Sequence, residues 1–545
     1  MPASAPPTPP PAFAWTHAWY PVLCTVTAPG PGPHATTLLG RDLVVWAKGD
    51  GTYGCVDDAC AHRAAPLSEG RVEADGHLHC AYHGWAFDTA GACTRCPQAE
   101  SQAALTTILA SPRSAVRAYP TLVAAGLVFV WPDAEPGAAG RAAAAPPPVL
   151  PVEVSAAAQE KGWYVRDLPY SHDFLLENVL DPSHLPVSHH GLMGLLNRGN
   201  AKPVPMVPIT EGDDKSGDPA LPPPPPHAPG TPPPDLDFRI ASVLAPPADT
   251  RPLSRLSWWA PTLVRYRYAA GPMVFSTNLF CVPTSPGRSR VFLVDGAYAN
   301  PLAAGGAGGA GAAPPKPDAR TVALRYLMKA IFALRPAFLG HHGQGDIFDG
   351  DGVFLNRQMA ALAQAQAASA DGGGAPGAWR KLYYMPATCD RAVSSLRAWL
   401  DGPGGGGPPW AAGAWAAGRA PSRALAASVA AAPLSRVASL DRAAQHVQHC
   451  SVCQAAQARL TAVRAAAVAG GAVLLLAASF LAGRGGVAGP PAGRLGAALV
   501  VAAAALLAGI VRQTTRWLAP FGFVDYVHST KGPPQVLPPE PVRAG

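Results

Sequence analysis

Charge is scarce in this chain. Only 14% of its 545 residues are Asp, Glu, Lys or Arg, and the net charge of +7 is spread without a basic cluster or aromatic interleaving. Nucleic-acid binding is therefore unsupported, because recognition of phosphates needs basic side chains gathered on one face. Cysteine is scarce too. Ten in the whole chain make no disulfide framework and favour a reducing compartment. Residues 1–11 are proline-rich and hold neither an apolar signal core nor an Arg/Ser-rich transit stretch, so no organelle address is visible there. Glycine (56) and proline (63), by contrast, are plentiful. With the apolar runs between them, they fit two or three domains interrupted by low-complexity insertions.

The most informative stretch is CAH followed further on by CAYHG, which gives Cys60, His62, Cys80 and His83. Each short loop offers one thiolate and one imidazole. That arrangement suits a Rieske [2Fe-2S] cluster, in which two Cys hold one iron and two His the other. A structural zinc site accepts the same donors but more often pairs CxxC with a separate pair of His. His62 is followed directly by Arg63, Ala64 and Ala65, so no extra cysteine is placed there to make a loop-to-loop disulfide. Cys93 and Cys96 form another CxxC, with no His nearby, and read as loop positions.

A second constellation lies in DFLLENVLDPSHLPVSHHG. Asp181 can cap a helix with Pro182 at its first position. His184 and His189 would stand about 140° apart on an ideal helix of ~3.6 residues per turn. Pro186 should bend that helix and let the two imidazoles converge. Two His and one carboxylate with open positions opposite form the ligand set of non-haem Fe(II) oxygenases. The best third ligand is Asp351 in GDIFDGDGVFLNRQ, with Asp349 its close competitor; the alternative is a solvated acidic turn.

This divides the chain into a disordered start (1–12), a cluster domain (13–150), a catalytic domain (151–400), a linker carrying a CxxC (401–463), a hairpin (464–512) and a tail (513–545). Insertions fall at about 212–236 (Pro-rich) and 303–317 (Gly/Ala-rich), and DGGGAPG and DGPGGGGPP also read as disordered insertions or linkers. A helix is expected over 321–339, and YYMPATCDRAVSSLRAWL reads as a strand followed by a helix. Residues 465–483 and 495–511 are uncharged runs bracketed by Arg464, Arg484, Arg494 and Arg512, which predicts a transmembrane hairpin rather than two buried soluble helices. Just before it, Cys450 and Cys453 are candidates for a thioredoxin-addressed redox switch. They could instead be an inert helical pair or a metal site completed by His446 and His449.

The cluster loops, NVLDPSHLPVSHH, IFDGDGVFL, HCSVC and the closing PFGFVDYVHS together resemble the chloroplast Rieske oxygenases. That group contains pheophorbide a oxygenase, the translocon-associated Rieske protein and the protochlorophyllide-dependent translocon component. The resemblance implies an α+β protein: a β-rich Rieske domain, a helix-grip catalytic domain with mononuclear iron, and the membrane hairpin. It implies that Cys60, His62, Cys80 and His83 hold one [2Fe-2S] cluster, that His184, His189 and Asp351 hold one Fe(II), and that Asp181 bridges the two centres. It further implies a homotrimer in a chloroplast membrane (inner envelope or thylakoid), with ferredoxin as electron donor. One atom of O2 would enter a tetrapyrrole and the other would leave as water. Within the group VLDPSHLPVSHH and DGDGVFL favour a pheophorbide a oxygenase-like opening of the chlorin macrocycle. The alternatives are hydroxylation of a phyllobilin or protochlorophyllide, a redox-sensing electron carrier of an import complex, and a zinc-stabilised membrane adaptor.

Overall fold

The computed structural model describes residues 13–30, 32–150, 162–192, 196–209, 233–241, 243, 254–270, 273–299, 336–367, 379–410, 433–484, 491–526 and 528. The proline-rich start, nearly all of the 212–236 insertion, the 303–317 insertion, DGGGAPG and most of the helix expected over 321–339 lie outside the described residues.

The N-terminal part is built from three small antiparallel sheets. One orders Tyr20–Cys24, Leu127–Val130 and Thr121–Ala124; a second orders His34–Leu38, Arg41–Ala47 and Tyr53–Asp57. The third has four short strands, Arg71–Val72, Leu78–His79, Ala86–Phe87 and Cys93–Arg95. Val44, Trp46, Val56, Leu67, Leu78 and Phe87 form an apolar cluster of their own, and Cys60 and Cys80 are buried inside it. Excluding water from those two sulfurs is what this small core does for the site.

The second part is built on a seven-stranded antiparallel sheet. In spatial order its strands are Tyr164–Leu168, Arg288–Ala299, Met273–Ser285, Leu263–Ala270, Ser254–Trp259, Leu236–Ile240 and Met206–Pro208. Its apolar side chains share one core with the first N-terminal sheet, Tyr20, Phe129, Trp163 and Phe280 being among them. Backbone bonds from Leu39 N to Pro283 O (3.0 Å) and Gly40 N to Thr284 O (2.6 Å) tie the two parts directly. The architecture is the expected α+β one.

Against this sheet packs a 31-residue helix, Ala337–Ala367. Glycines at 340, 343, 345, 350 and 352 make it a poor helix on local grounds, each costing about 1 kcal/mol relative to Ala. Tertiary packing must hold it, and two of those glycines are where neighbours come closest: the Arg442 guanidinium at Gly345, and His189 with Tyr526 at Gly350. The D-G-D-G run is therefore no solvated turn. Asp349 and Asp351 are both buried within the helix.

Three other expectations are corrected. The strand expected over YYMPAT is absent from those described residues, and the Arg391–Asp401 helix follows a short helix, Trp379–Leu382, and a 3-10 turn. DGPGGGGPP is an ordered turn: Gly404 and Gly406 donate to Trp399 O and Leu400 O, and Trp15 Nε1 donates to Gly404 O at 2.9 Å. Glycine's tolerance of positive φ, used at Gly405, Gly406 and Gly407, lets this turn fold tightly rather than fray. Residues 433–450, inside the stretch read as linker, pack against the sheet and the long helix, with Arg442, Gln445 and His446 all buried.

The chain ends in two long helices, Ser451–Arg484 and Pro491–Leu518, with Gly470 facing Leu507 across the hairpin. The stretches Ser451–Phe480 and Ala498–Phe521, the second running on through the 3-10 turn Ala519–Phe521, are long and apolar enough to cross a membrane, and only 6% of the most apolar part of each is buried. So little burial is unlike the core helices of a soluble protein and is consistent with a membrane association. At the end of the second helix Phe521 packs against Phe338 and Val447, and further on Tyr526 is buried against Ser188.

Candidate metal centres

The two cluster loops repeat one backbone design. Cys60 N–H donates to Ala65 O and Ala64 N–H to Cys60 O; likewise Cys80 N–H donates to Trp85 O and Gly84 N–H to Cys80 O. Each loop closes four residues after its Cys on a left-handed residue, Ala64 (φ 55°) and Gly84 (φ 71°). The geometry puts both sulfurs inward, at 4% and 1% exposure, and brings the His62 and His83 rings to the rim with centroids 4.6 Å apart. Trp85 stacks flat on His62 at 5.0 Å. Two buried soft donors facing two rim imidazoles fit a two-iron cluster with chemically different ends. Burial pushes the Cys60 thiol up to about 11, and the neighbouring Cys80 adds to the shift. As a free thiol Cys60 would stay protonated, so a ligating thiolate there needs a metal cation to hold it.

At the second centre, Pro186 does more than bend a helix. The segment breaks into a 3-10 turn, Pro182–His184, and a single helical turn, Leu185–Ser188, with His189 at its C-cap. Both rings then face Asp351 on the long helix. Its Oδ1 lies 3.6 Å from His184 Nε2 and 3.2 Å from His189 Nε2, and the three donor atoms fall within 4.8 Å of one another. His189 is fully buried, and neither ring nitrogen has a hydrogen-bond partner among the described residues. Buried imidazoles without partners are costly, and a metal ion would satisfy this one. Burial pushes the His184 imidazole down, but the Asp351 and Asp181 carboxylates outweigh it and raise its pKa, so the site favours positive charge.

Asp349 has a different task. Its Oδ1 accepts from Arg166 Nη2 at 2.5 Å and its Oδ2 from Arg442 Nε at 2.7 Å. Arg166 also donates to Gln445 and to Gly345 O, and Arg442 to Asp346. With both oxygens taken by buried guanidinium groups, Asp349 ties the helix to the sheet and to the segment before the hairpin.

Asp181 caps the 3-10 turn through Ser183 N–H at 2.8 Å, and its Oδ2 lies 3.8 Å from His184 Nδ1. Burial pushes its carboxyl up, yet His184 and Ser183 outweigh this and hold it below the usual range. Two neighbours escaped the sequence reading. Asn178 Nδ2 stands 3.4 Å from His184 Nε2, and Tyr526 donates its OH to Ser188 O at 3.0 Å, bracing the turn before His189. Asn178 carries no metal-ligand signal, while Tyr526 lies in the closing motif far from the site in sequence.

The C-terminal CxxC keeps one of its two expected companions, His446, and loses the other. His449 turns away to Asp167, with Nε2 2.8 Å from Oδ2. In its place His341, from the long helix, joins His446, Cys450 and Cys453, with one donor atom of each within 4.8 Å of the others.

Comparisons with known proteins agree with this layout. Residues 18–120 match the family model of the Rieske [2Fe-2S] domain. Pheophorbide a oxygenase, chloroplastic, of Oryza sativa subsp. japonica is 32% identical over 451 residues, 82% of this chain and 73% of that protein. The chain belongs to the pheophorbide a oxygenase family of Rieske oxygenases. The Arabidopsis thaliana pheophorbide a oxygenase is 30% identical over 453 residues, 82% of this chain and 73% of that protein. Flavonoid 8-hydroxylase 2, chloroplastic, of Ocimum basilicum is 26% identical over 469 residues, 83% of this chain and 75% of that protein. As a Rieske oxygenase the chain is an enzyme, and its cofactors are one [2Fe-2S] cluster and one mononuclear iron.

Proposed function

We propose that this protein is a monooxygenase of a chlorophyll-derived tetrapyrrole in a chloroplast membrane, with pheophorbide a as the favoured substrate. The observation that carries the reading is the convergence of His184, His189 and Asp351 in a chain that also folds a Rieske domain. An electron carrier needs no such second centre, which argues against the redox-sensing and adaptor alternatives. The substrate class rests on the relatives that match along most of the chain. The chloroplast location follows from the same relatives, and the exposed apolar hairpin supports the membrane.

In this reading Cys60, His62, Cys80 and His83 hold the cluster, and His184, His189 and Asp351 hold the iron. Iron so held supplies oxygen activation, using electrons that enter through the cluster. Overall, substrate, O2, two electrons and two protons give the oxygenated product and water. The protein's own contributions are positional. Gly350 leaves room for His189, Tyr526 fixes the turn that presents it, and Asp181 orients His184 from its outer ring nitrogen. His62 and His83 lie at the rim, where a neighbouring subunit's iron could be reached, so a homotrimer with ferredoxin as donor completes the proposal. The hairpin lets an apolar ring system enter from the lipid interface.

The test is a substrate panel. Reduced ferredoxin and the anaerobic full-length protein are mixed with pheophorbide a, protochlorophyllide, a phyllobilin or a flavone, then exposed to O2 and analysed by mass spectrometry. Oxygenation of pheophorbide a above the others is expected. Oxygenation of the flavone alone would overturn the substrate class.

A further inference from the structure

The pair Cys450 and Cys453 serves neither iron centre, yet both sulfurs are buried, at 1% and 0% exposure. Two imidazoles converge on them from separate elements. His446 Nε2 lies 3.2 Å from Cys453 Sγ, while His341 Nδ1 lies 3.3 Å from Cys453 Sγ and 3.5 Å from Cys450 Sγ. A zinc tetrahedron with Zn–S of about 2.3 Å and Zn–N of about 2.05 Å has S···N edges of about 3.6 Å. Those three S···N separations are close to that without any ion, and one donor atom of each residue lies within 4.8 Å of the others. We propose that His341, His446, Cys450 and Cys453 form a closed structural zinc site that pins the membrane hairpin to the helix carrying Asp351.

The surroundings fit such a site. His446 Nδ1–H donates to Val165 O at 2.6 Å, which leaves Nε2 unprotonated and facing Cys453. A carbonyl behind a ligating imidazole fixes the tautomer in this way at zinc centres. Cys450 stands immediately before the Ser451–Arg484 helix and Cys453 in its first turn, where the helix dipole favours thiolates. Phe338, Val447 and Phe521 form an apolar shell. With two thiolates, two imidazoles and no open position, the donor set is that of a structural site rather than a catalytic one.

A thioredoxin-addressed disulfide fits less well. Exchange requires an accessible sulfur, whereas these are enclosed, and a Cys450–Cys453 bond would leave His341 and His446 facing sulfurs with nothing to bind. The zinc site joins three elements: His341 opens the helix that carries Asp349 and Asp351, His446 belongs to the segment holding Arg442, and the cysteines begin the first membrane helix. Loss of the metal should therefore loosen the hairpin without touching the [2Fe-2S] domain.

The test uses the full chain purified in detergent under reducing conditions. Elemental analysis should find about one zinc per chain beside the iron, and X-ray absorption at the zinc edge should show two sulfurs at about 2.3 Å and two nitrogens at about 2.0–2.1 Å. His341→Ala and Cys453→Ser should lose zinc while keeping the Rieske EPR signal, whereas His449→Ala should keep both. Wild-type protein without zinc, in which Cys450 and Cys453 alkylate freely or become bridged on oxidation, would overturn the proposal whatever the variants do. Zinc retained by His341→Ala but lost by His449→Ala would overturn the ligand set.

Discussion

Gly350 lies against His189: a β-carbon added there would sit 3.1 Å from His189 Nδ1 and 3.1 Å from Tyr526 Cζ. That separation is tighter than ordinary packing, and both neighbours are buried and braced. Alanine at 350 gains helix propensity of about 1 kcal/mol yet must displace the imidazole or the phenol. Gly350→Ala is expected to keep the cluster spectrum and thermal stability near wild type. Turnover or mononuclear iron affinity should fall about 10–100-fold, the usual cost of disturbing a ligand's support. Iron analysis and EPR on the same sample check this, and unchanged turnover would refute the tight fit.

The two aspartates of the same helix should fail in opposite ways. Asp351→Asn is expected to fold normally but lose the mononuclear iron and activity. Asp349→Asn leaves Arg166 and Arg442 buried without their shared anion, which typically costs about 3–5 kcal/mol. Denaturant unfolding and iron content, measured on both variants, should separate them. Equal instability of the two would show that Asp351 is also structural.

The paired cluster loops predict a stability difference of opposite sign. Ala64 holds a left-handed backbone that costs a non-glycine residue about 1–2 kcal/mol, whereas Gly84 meets the same demand without strain. Ala64→Gly should raise the melting temperature of the cluster absorbance, and Gly84→Ala should lower it. A drop in both would mean that the Ala64 methyl packs usefully and outweighs the strain.

Asp181→Asn keeps the cap on the 3-10 turn but removes the charge beside His184. Cluster spectra and iron content should stay near normal while O2-dependent turnover falls far more. Rapid mixing with substrate and O2 should leave the cluster reduced. Reoxidation at the wild-type rate would reduce Asp181 to a cap.

Much of the candidate site was legible in the sequence because residues able to hold a metal stand out by type and short spacing. CxH, CxxH and the proline-split HLPVSH each fall within one short segment, so local chemistry was enough to nominate them. Asp351 could not be separated from Asp349 that way, since both share one motif and differ only in what faces them: two guanidinium groups for one, two imidazoles for the other. His341 was invisible for a related reason. It stands more than a hundred positions from Cys450, and only the packing of the long helix brings it there. His449, adjacent to Cys450, looked the better partner but is claimed by Asp167. The glycine-rich 401–410 turn misled on composition, because its order comes from Trp15 and Trp399, not from its own side chains.

The most direct test of the central claim is a single turnover. Wild-type protein and Asp351→Asn, both with intact reduced clusters, are loaded anaerobically with pheophorbide a and opened to isotopically labelled O2. The account predicts that the wild type alone oxidises its cluster and forms a product carrying one labelled atom. Product without label, or the same labelled yield from Asp351→Asn, would contradict it.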